Sequence, residues 1–215
     1  MITNDSTDNR GSSLVLENRH TGERLVLTRV AKGDEIWLTL DGVLPPHREG
    51  PPLHTHFGED EEGRVTRGRL SAVVDGRRLT AGPGESVLLP RGSAHRWWND
   101  GDEVLEFSGH ARPVVDLDRY LQAAFEVLNA SPEGRPSPFY MAHLALRHRH
   151  TQAVLLMPRP LQAMLFRMIV ALGTVLGRYR GEDWPGCPAR CTGAPLVAEA
   201  HAQGGAGSVP HVARG

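Results

Sequence analysis

The sequence predicts a mainly β fold, a barrel or sandwich, followed by about three C-terminal α-helices. Three observations point that way. From Ser12 to Val115 short apolar or alternating runs are broken by turn residues, beyond Asp116 the apolar spacing becomes helical, and from Gly181 onward periodicity disappears. The chain of 215 residues is long enough for one β domain with a helical appendage.

Residues 1–11 are polar and are expected to be a flexible N-terminus. Residues 12–115 carry the strand candidates Leu14-Val15-Leu16, Leu25-Val26-Leu27, Ile36 to Leu40, Leu70 to Val74, Val87-Leu88-Leu89 and Val104 to Phe107. Asp41-Gly42, Asp75-Gly76 and Asp100-Gly101 punctuate these runs, and such pairs favour tight turns because Gly tolerates positive φ. Residues 116–180 read as a helical extension. Leu117, Leu121, Ala124, Phe125 and Leu128 fall on one helical face that Asp116 would cap. A second helix is predicted from about Ser137, with Pro138 in its first turn, to about His148, and a third from about Pro160 to Arg178. In the third, Leu161, Met164, Leu165, Met168, Ile169, Leu172, Val175 and Leu176 form a wide apolar stripe that Gln162, Arg167 and Gly173 interrupt. With Arg167 in mid-segment it reads as a buried or interface helix rather than a membrane span. Residues 181–215, rich in Gly, Ala and Pro, are expected to be a disordered tail.

The chemistry concentrates in two segments, Pro52 to Gly68 and Gly84 to Asn99. His54 and His56 are one residue apart, so on a strand both imidazoles face the same side. Glu61 follows with a carboxylate, and His95 arrives behind a Gly/Pro-rich turn. Three neutral nitrogens and one carboxylate oxygen suit a divalent first-row metal.

These segments resemble the two signature motifs of the cupin superfamily. His54, His56, Glu61 and Gly68 fill the first, and Gly84, Pro90, Gly92, His95 and Asn99 fill the second. Arg48 stands where the family usually has a Gly, with Gly50 nearby. The resemblance covers about residues 12–115 and implies a cupin double-stranded β-helix, a jelly-roll-like barrel. It also implies one bound Fe(II), Mn(II), Ni(II) or Zn(II) on His54, His56, Glu61 and His95, and it fits a C-terminal helical extension. It leaves the reaction open, because one barrel hosts many chemistries.

Around this centre, Trp97 shares the strand parity of His95 and is a candidate pocket wall or core residue. Gly63 and Val65 follow Glu61 inward by the same parity, Gly63 leaving room or marking a bulge. His47 and His110 are candidates at the pocket rim. Glu59 and Asp60 read as a solvated acidic loop, His143, His148 and His150 as helix surface, and Asn99 as the residue that holds the turn after the second motif.

With a formal net charge of −1 and interspersed basic residues, the chain offers no footprint for nucleic acid or an anionic membrane. A small-molecule substrate is the expected partner, with a homodimer as a further possibility. Met1 to Ser13 lacks a basic stretch leading into an apolar run, so a cytoplasmic location is expected. Cys187 and Cys191 read as reduced thiols. The functional reading is a metal-dependent enzyme on a small organic substrate, first an oxygenase. A redox-neutral cyclase or isomerase is the alternative, and a non-enzymatic metal- or ligand-binding protein the third reading.

Overall fold

The computed structural model describes residues 13–179. The readings of residues 1–11 and 181–215, including Cys187 and Cys191, lie outside them. In chain order the strands are β1 (Leu14–Glu17), β2 (Arg24–Lys32), β3 (Glu35–Leu44), β4 (Arg48–Glu49), β5 (His54–His56), β6 (Asp60–Arg67), β7 (Leu70–Val74), β8 (Arg77–Ala81), β9 (Ser86–Leu89), β10 (His95–Asn99) and β11 (Leu105–Arg112). Helices α1 (Leu117–Ala130), α2 (Pro138–Arg147) and α3 (Arg159–Val175) follow, with a last strand, β12 (Gln152–Val154), between α2 and α3.

Two antiparallel sheets face each other, ordered β1-β2-β3-β11-β6-β9 and β12-β5-β10-β7-β8, with β4 on β10. Their inner faces supply the alternating core residues. One cluster joins Leu44, Val65, Leu70, Trp97 and Leu105, and another joins Leu25, Leu27, Leu38 and Ala111 to Leu117 and Phe125 of α1. Arg29 of β2 donates two hydrogen bonds, 2.7 and 2.8 Å, to buried Asp118 in the first turn of α1, which fixes that helix to the first sheet.

Several sequence expectations need correction. Asp75-Gly76 does make the β7–β8 turn, both residues having positive φ (47° and 79°). Asp41-Gly42, in contrast, lies inside β3, and a Cβ at Gly42 would fall 2.1 Å from the Phe107 ring. That glycine admits an aromatic ring and makes no turn. The extension is not wholly helical, since β12 adds to the edge of the second sheet by pairing with β5. The apolar stripe of α3 faces outward, leaving Leu161, Met164, Met168, Leu172 and Val175 exposed, while Gln162 and Gly173, read as interruptions, are buried. Gln162 donates to the Val154 carbonyl (2.8 Å) and accepts from Leu156 N–H (3.1 Å), so this amide anchors α3 to β12. No helix among the described residues is long and apolar enough to cross a membrane.

Candidate metal centre

His54 and His56 point inward from β5 as their spacing requires, and His95 of β10 lies directly opposite His54 in the antiparallel pair. The ligand atoms of these three imidazoles all lie within 4.8 Å of one another. Backbone contacts set the tautomers. Nδ1–H of His54 donates to the Pro52 carbonyl (2.8 Å) and Nδ1–H of His95 to the Ser93 carbonyl (3.2 Å), leaving each Nε2 with a free lone pair. Nε2 of His54 and Nε2 of His56 stand 3.1 Å apart. Two nitrogens bound at right angles to one ion at about 2.1 Å would be about 3.0 Å apart. His95 Nε2 is buried without a hydrogen-bond partner among the described residues. Nitrogen lone pairs in such proximity, one of them orphaned, fit a cation between them.

Glu61 approaches from β6, its Oε2 3.6 Å from His56 Nε2. On the far side of the same ring, Glu59 Oε2 lies 3.6 Å from His56 Nδ1. Burial, reinforced by the neighbouring imidazoles, lowers His54 to about 3, and burial with His56 lowers His95 to about 4. Both rings are therefore neutral, ligand-ready bases at neutral pH. For His56, burial pulls the value down, but Glu59, Glu61 and Asp116 outweigh it and raise the ring. Burial, with Glu59, raises Glu61 against the opposing pull of His56.

Glu59 is fully buried, and the solvated-loop reading is corrected. Its Oε1 accepts from Val115 N–H (2.8 Å) and Leu117 N–H (3.3 Å), so Glu59 caps α1. Asp116, expected to be that cap, makes no side-chain cap bond and instead accepts from His148 Nδ1–H at 2.6 Å. His148 is accordingly buried rather than on a helix surface. A usable signal existed for Glu59, which shares the parity of Glu61 and so turns inward with it.

A cavity of about 560 Å³ opens from His54, His56 and Glu61 between the sheets. Its walls are Leu25, Trp97 and Phe107 of the sheets and Leu121, Phe125 and Leu144 of α1 and α2. Trp97 thus serves both core and wall, and its backbone carbonyl comes within 2.5 Å of where a Gly50 Cβ would stand. The other pocket candidates are not among the lining residues. Val65 is spent in the core, and Gly63 sits between Gly109 and Val87 with nothing within 4 Å of its would-be Cβ. His47 Nε2 meets Asp102 at 3.0 Å on an exposed loop. His110 stacks on Trp37 at 4.6 Å between centroids, because the inward set of β11 is Leu105, Phe107, Gly109 and Ala111. Asn99 holds its turn, donating to the carbonyls of Leu44, Pro45 and Glu103 at 2.9–3.1 Å.

A family model described as a cupin domain matches residues 40–108. An oxidoreductase, iacF, of Pestalotiopsis fici is 37% identical over 102 residues, covering 43% of this chain and 50% of that protein. The chain spans half the length of that curated relative. Similar solved structures include the Schizosaccharomyces pombe Cnp3 cupin domain, 14% identical, covering 46% of this chain and 70% of that one (TM-score 0.37). A sugar phosphate isomerase from a cupin superfamily of Silicibacter pomeroyi is 25% identical over 40% of this chain and 58% of that one (TM-score 0.35). KdgF of a Halomonas species is 18% identical over 43% of this chain and 81% of that one (TM-score 0.36).

Proposed function

As the chain belongs to the cupin superfamily, with its cupin domain at residues 40–108, we propose that it is a metal-dependent enzyme acting on a small organic molecule. His54, His56, His95 and Glu61 would hold one Fe(II), Mn(II), Ni(II) or Zn(II), and oxygenation is the leading reaction class. The observation that carries this reading is the convergence of three imidazoles, His95 Nε2 buried and without a partner among the described residues, where His54 and His56 open onto a cavity. The relative named as an oxidoreductase supports redox over redox-neutral chemistry.

A bound ion would supply Lewis-acid or redox chemistry. The chain's own residues do the rest. Pro52 and Ser93 carbonyls hold the tautomers of His54 and His95, and Glu59 beside His56 Nδ1 favours the lone pair on that ring's Nε2. Phe125, Leu144 and Trp97 shield the inner end from water, which strengthens every polar contact made there.

Elemental analysis of protein purified without added metal should find one equivalent of a first-row ion, lost in His56→Ala and His95→Ala. Unchanged metal content in both variants would sink the metal centre. On Fe(II)-loaded protein, an oxygen electrode should register uptake with a catechol or enol. Full-rate turnover under strict anaerobiosis would replace oxygenation with the cyclase or isomerase class.

A further inference from the structure

Gln152 is a buried polar group beside the histidines that the fold leaves unused. It belongs to β12, outside the cupin domain, and pairs in register with His56. Directly paired residues put their side chains on one face, with Cβ atoms about 5 Å apart. Gln152 is only 3% exposed, and it lines the cavity together with His54, His56 and Glu61. Among the described residues neither its amide oxygen nor its amide nitrogen has a hydrogen-bond partner. An amide buried with both ends unmet is costly, and native interiors tolerate it where a ligand completes the bonding.

Most of the remaining walls carry the opposite chemistry, Tyr120 and Glu49 being further polar lining residues. Trp97, Phe107, Leu121, Phe125 and Leu144 offer no acceptor to a polyhydroxylated molecule. The polar residues at the β1–β2 turn are largely engaged there. Asn18 Oδ1 accepts from the N–H groups of His20 and Thr21, and Thr21 Oγ1 from that of Glu23. Glu23 itself, raised by burial to about 7, lies at that turn beside Arg24, which is opposite Val43. Glu61 and Leu38 are both paired to Ala111, and Val43 is five residues further along β3 than Leu38, about 17 Å of strand.

The geometry points to a ligand with an apolar body and a small chelating head, the head giving Gln152 both an acceptor for its N–H and a donor for its carbonyl oxygen. This rests on the metal-centre reading above for the chelation, and on Gln152 and the cavity walls for everything else. Gln152 is thus a substrate-positioning residue supplied by the C-terminal extension, and sugars and sugar phosphates fit the cavity poorly.

The test uses straight-chain alkyl hydroxamic acids of increasing length, whose heads chelate a divalent ion and carry both a donor and acceptors. They are titrated calorimetrically into the full chain loaded with Zn(II), beside a headless series from toluene to butylbenzene. Affinity should rise about fourfold per added methylene in both series until the cavity is full. Gln152→Leu should weaken every hydroxamate by a similar factor of roughly ten and leave the alkylbenzenes unchanged. Affinities independent of chain length would overturn the apolar-body assignment. Hydroxamate binding unaffected by Gln152→Leu, or an equal loss in both series, would overturn the positioning role. Metal content of the same samples reports on the other reading. Zinc-free protein that still shows the alkylbenzene length dependence would reject the metal centre while keeping the apolar cavity.

Discussion

Helices α1 and α3 carry similar apolar stripes and meet opposite fates. In α1 the stripe turns inward, Leu117 and Phe125 entering the core and Leu121 and Leu128 lining the cavity. In α3 the stripe faces out, Met168 and Val175 being 61% and 84% exposed, and the helix attaches through Gln162, Gly173 and Phe166. The difference lies in what receives each helix. Beside β1 and over the cavity α1 meets apolar side chains of the first sheet that it can cover, and Glu59, Arg29 and Asn129 hold it there. For α3 the neighbours are α2 and the polar backbone of β12, and a buried amide satisfies that backbone better than a methyl group would. Periodicity thus identifies a helix and its apolar face without stating which face the protein covers.

Three measurements would break or sharpen this contrast. Phe125→Ala should cost the most, roughly 3 kcal/mol by denaturant unfolding, because it removes a buried ring from the α1–sheet cluster. A loss below about 1 kcal/mol would mean that α1 is no more firmly seated than α3.

Next is Asp116→Asn, which leaves an oxygen to accept from His148 but removes the carboxylate charge from the contact tying the start of α1 to the end of α2. Burial tends to raise Asp116, but hydrogen bonds from His148 and Thr151 and the charges of His148 and Arg119 prevail and hold it below the ordinary carboxylate range. A group depressed in the folded state stabilises above its unfolded value near 3.9 and loses that contribution as pH falls through the folded value. Wild type should therefore exceed the variant by about 1 kcal/mol at neutral pH, the difference between a charged and a neutral acceptor. The gap should close in strong acid, and a gap independent of pH would refute the charged contact. The smallest effect belongs to Met168→Gln on the outer face of α3, within about 0.5 kcal/mol in thermal unfolding of the isolated chain. A drop beyond about 1 kcal/mol would show that this face is covered in solution.

The histidine cluster was legible because it rests on local rules. A separation of one residue puts His54 and His56 on one face of any strand, and Glu59 and Glu61 share a parity for the same reason. The Asp75-Gly76 turn and the strand runs are likewise written in neighbouring residues. Tertiary structure alone decided the rest. Asp41-Gly42 has turn chemistry, yet Phe107 of a distant strand needs the space a side chain would take. Parity can turn Glu59 inward with Glu61, but its role as a cap exists only once α1 brings two N–H groups to it. His148 reads as helix surface in the sequence and nothing local marks Gln152; the first is buried beside Asp116, and the second is carried to His56 by β12. Strand parity and turn propensity act over a few residues and so can be read locally. Desolvation, pairing partners and close approach depend on atoms that folding brings from far along the chain, and those decided which polar groups ended up inside.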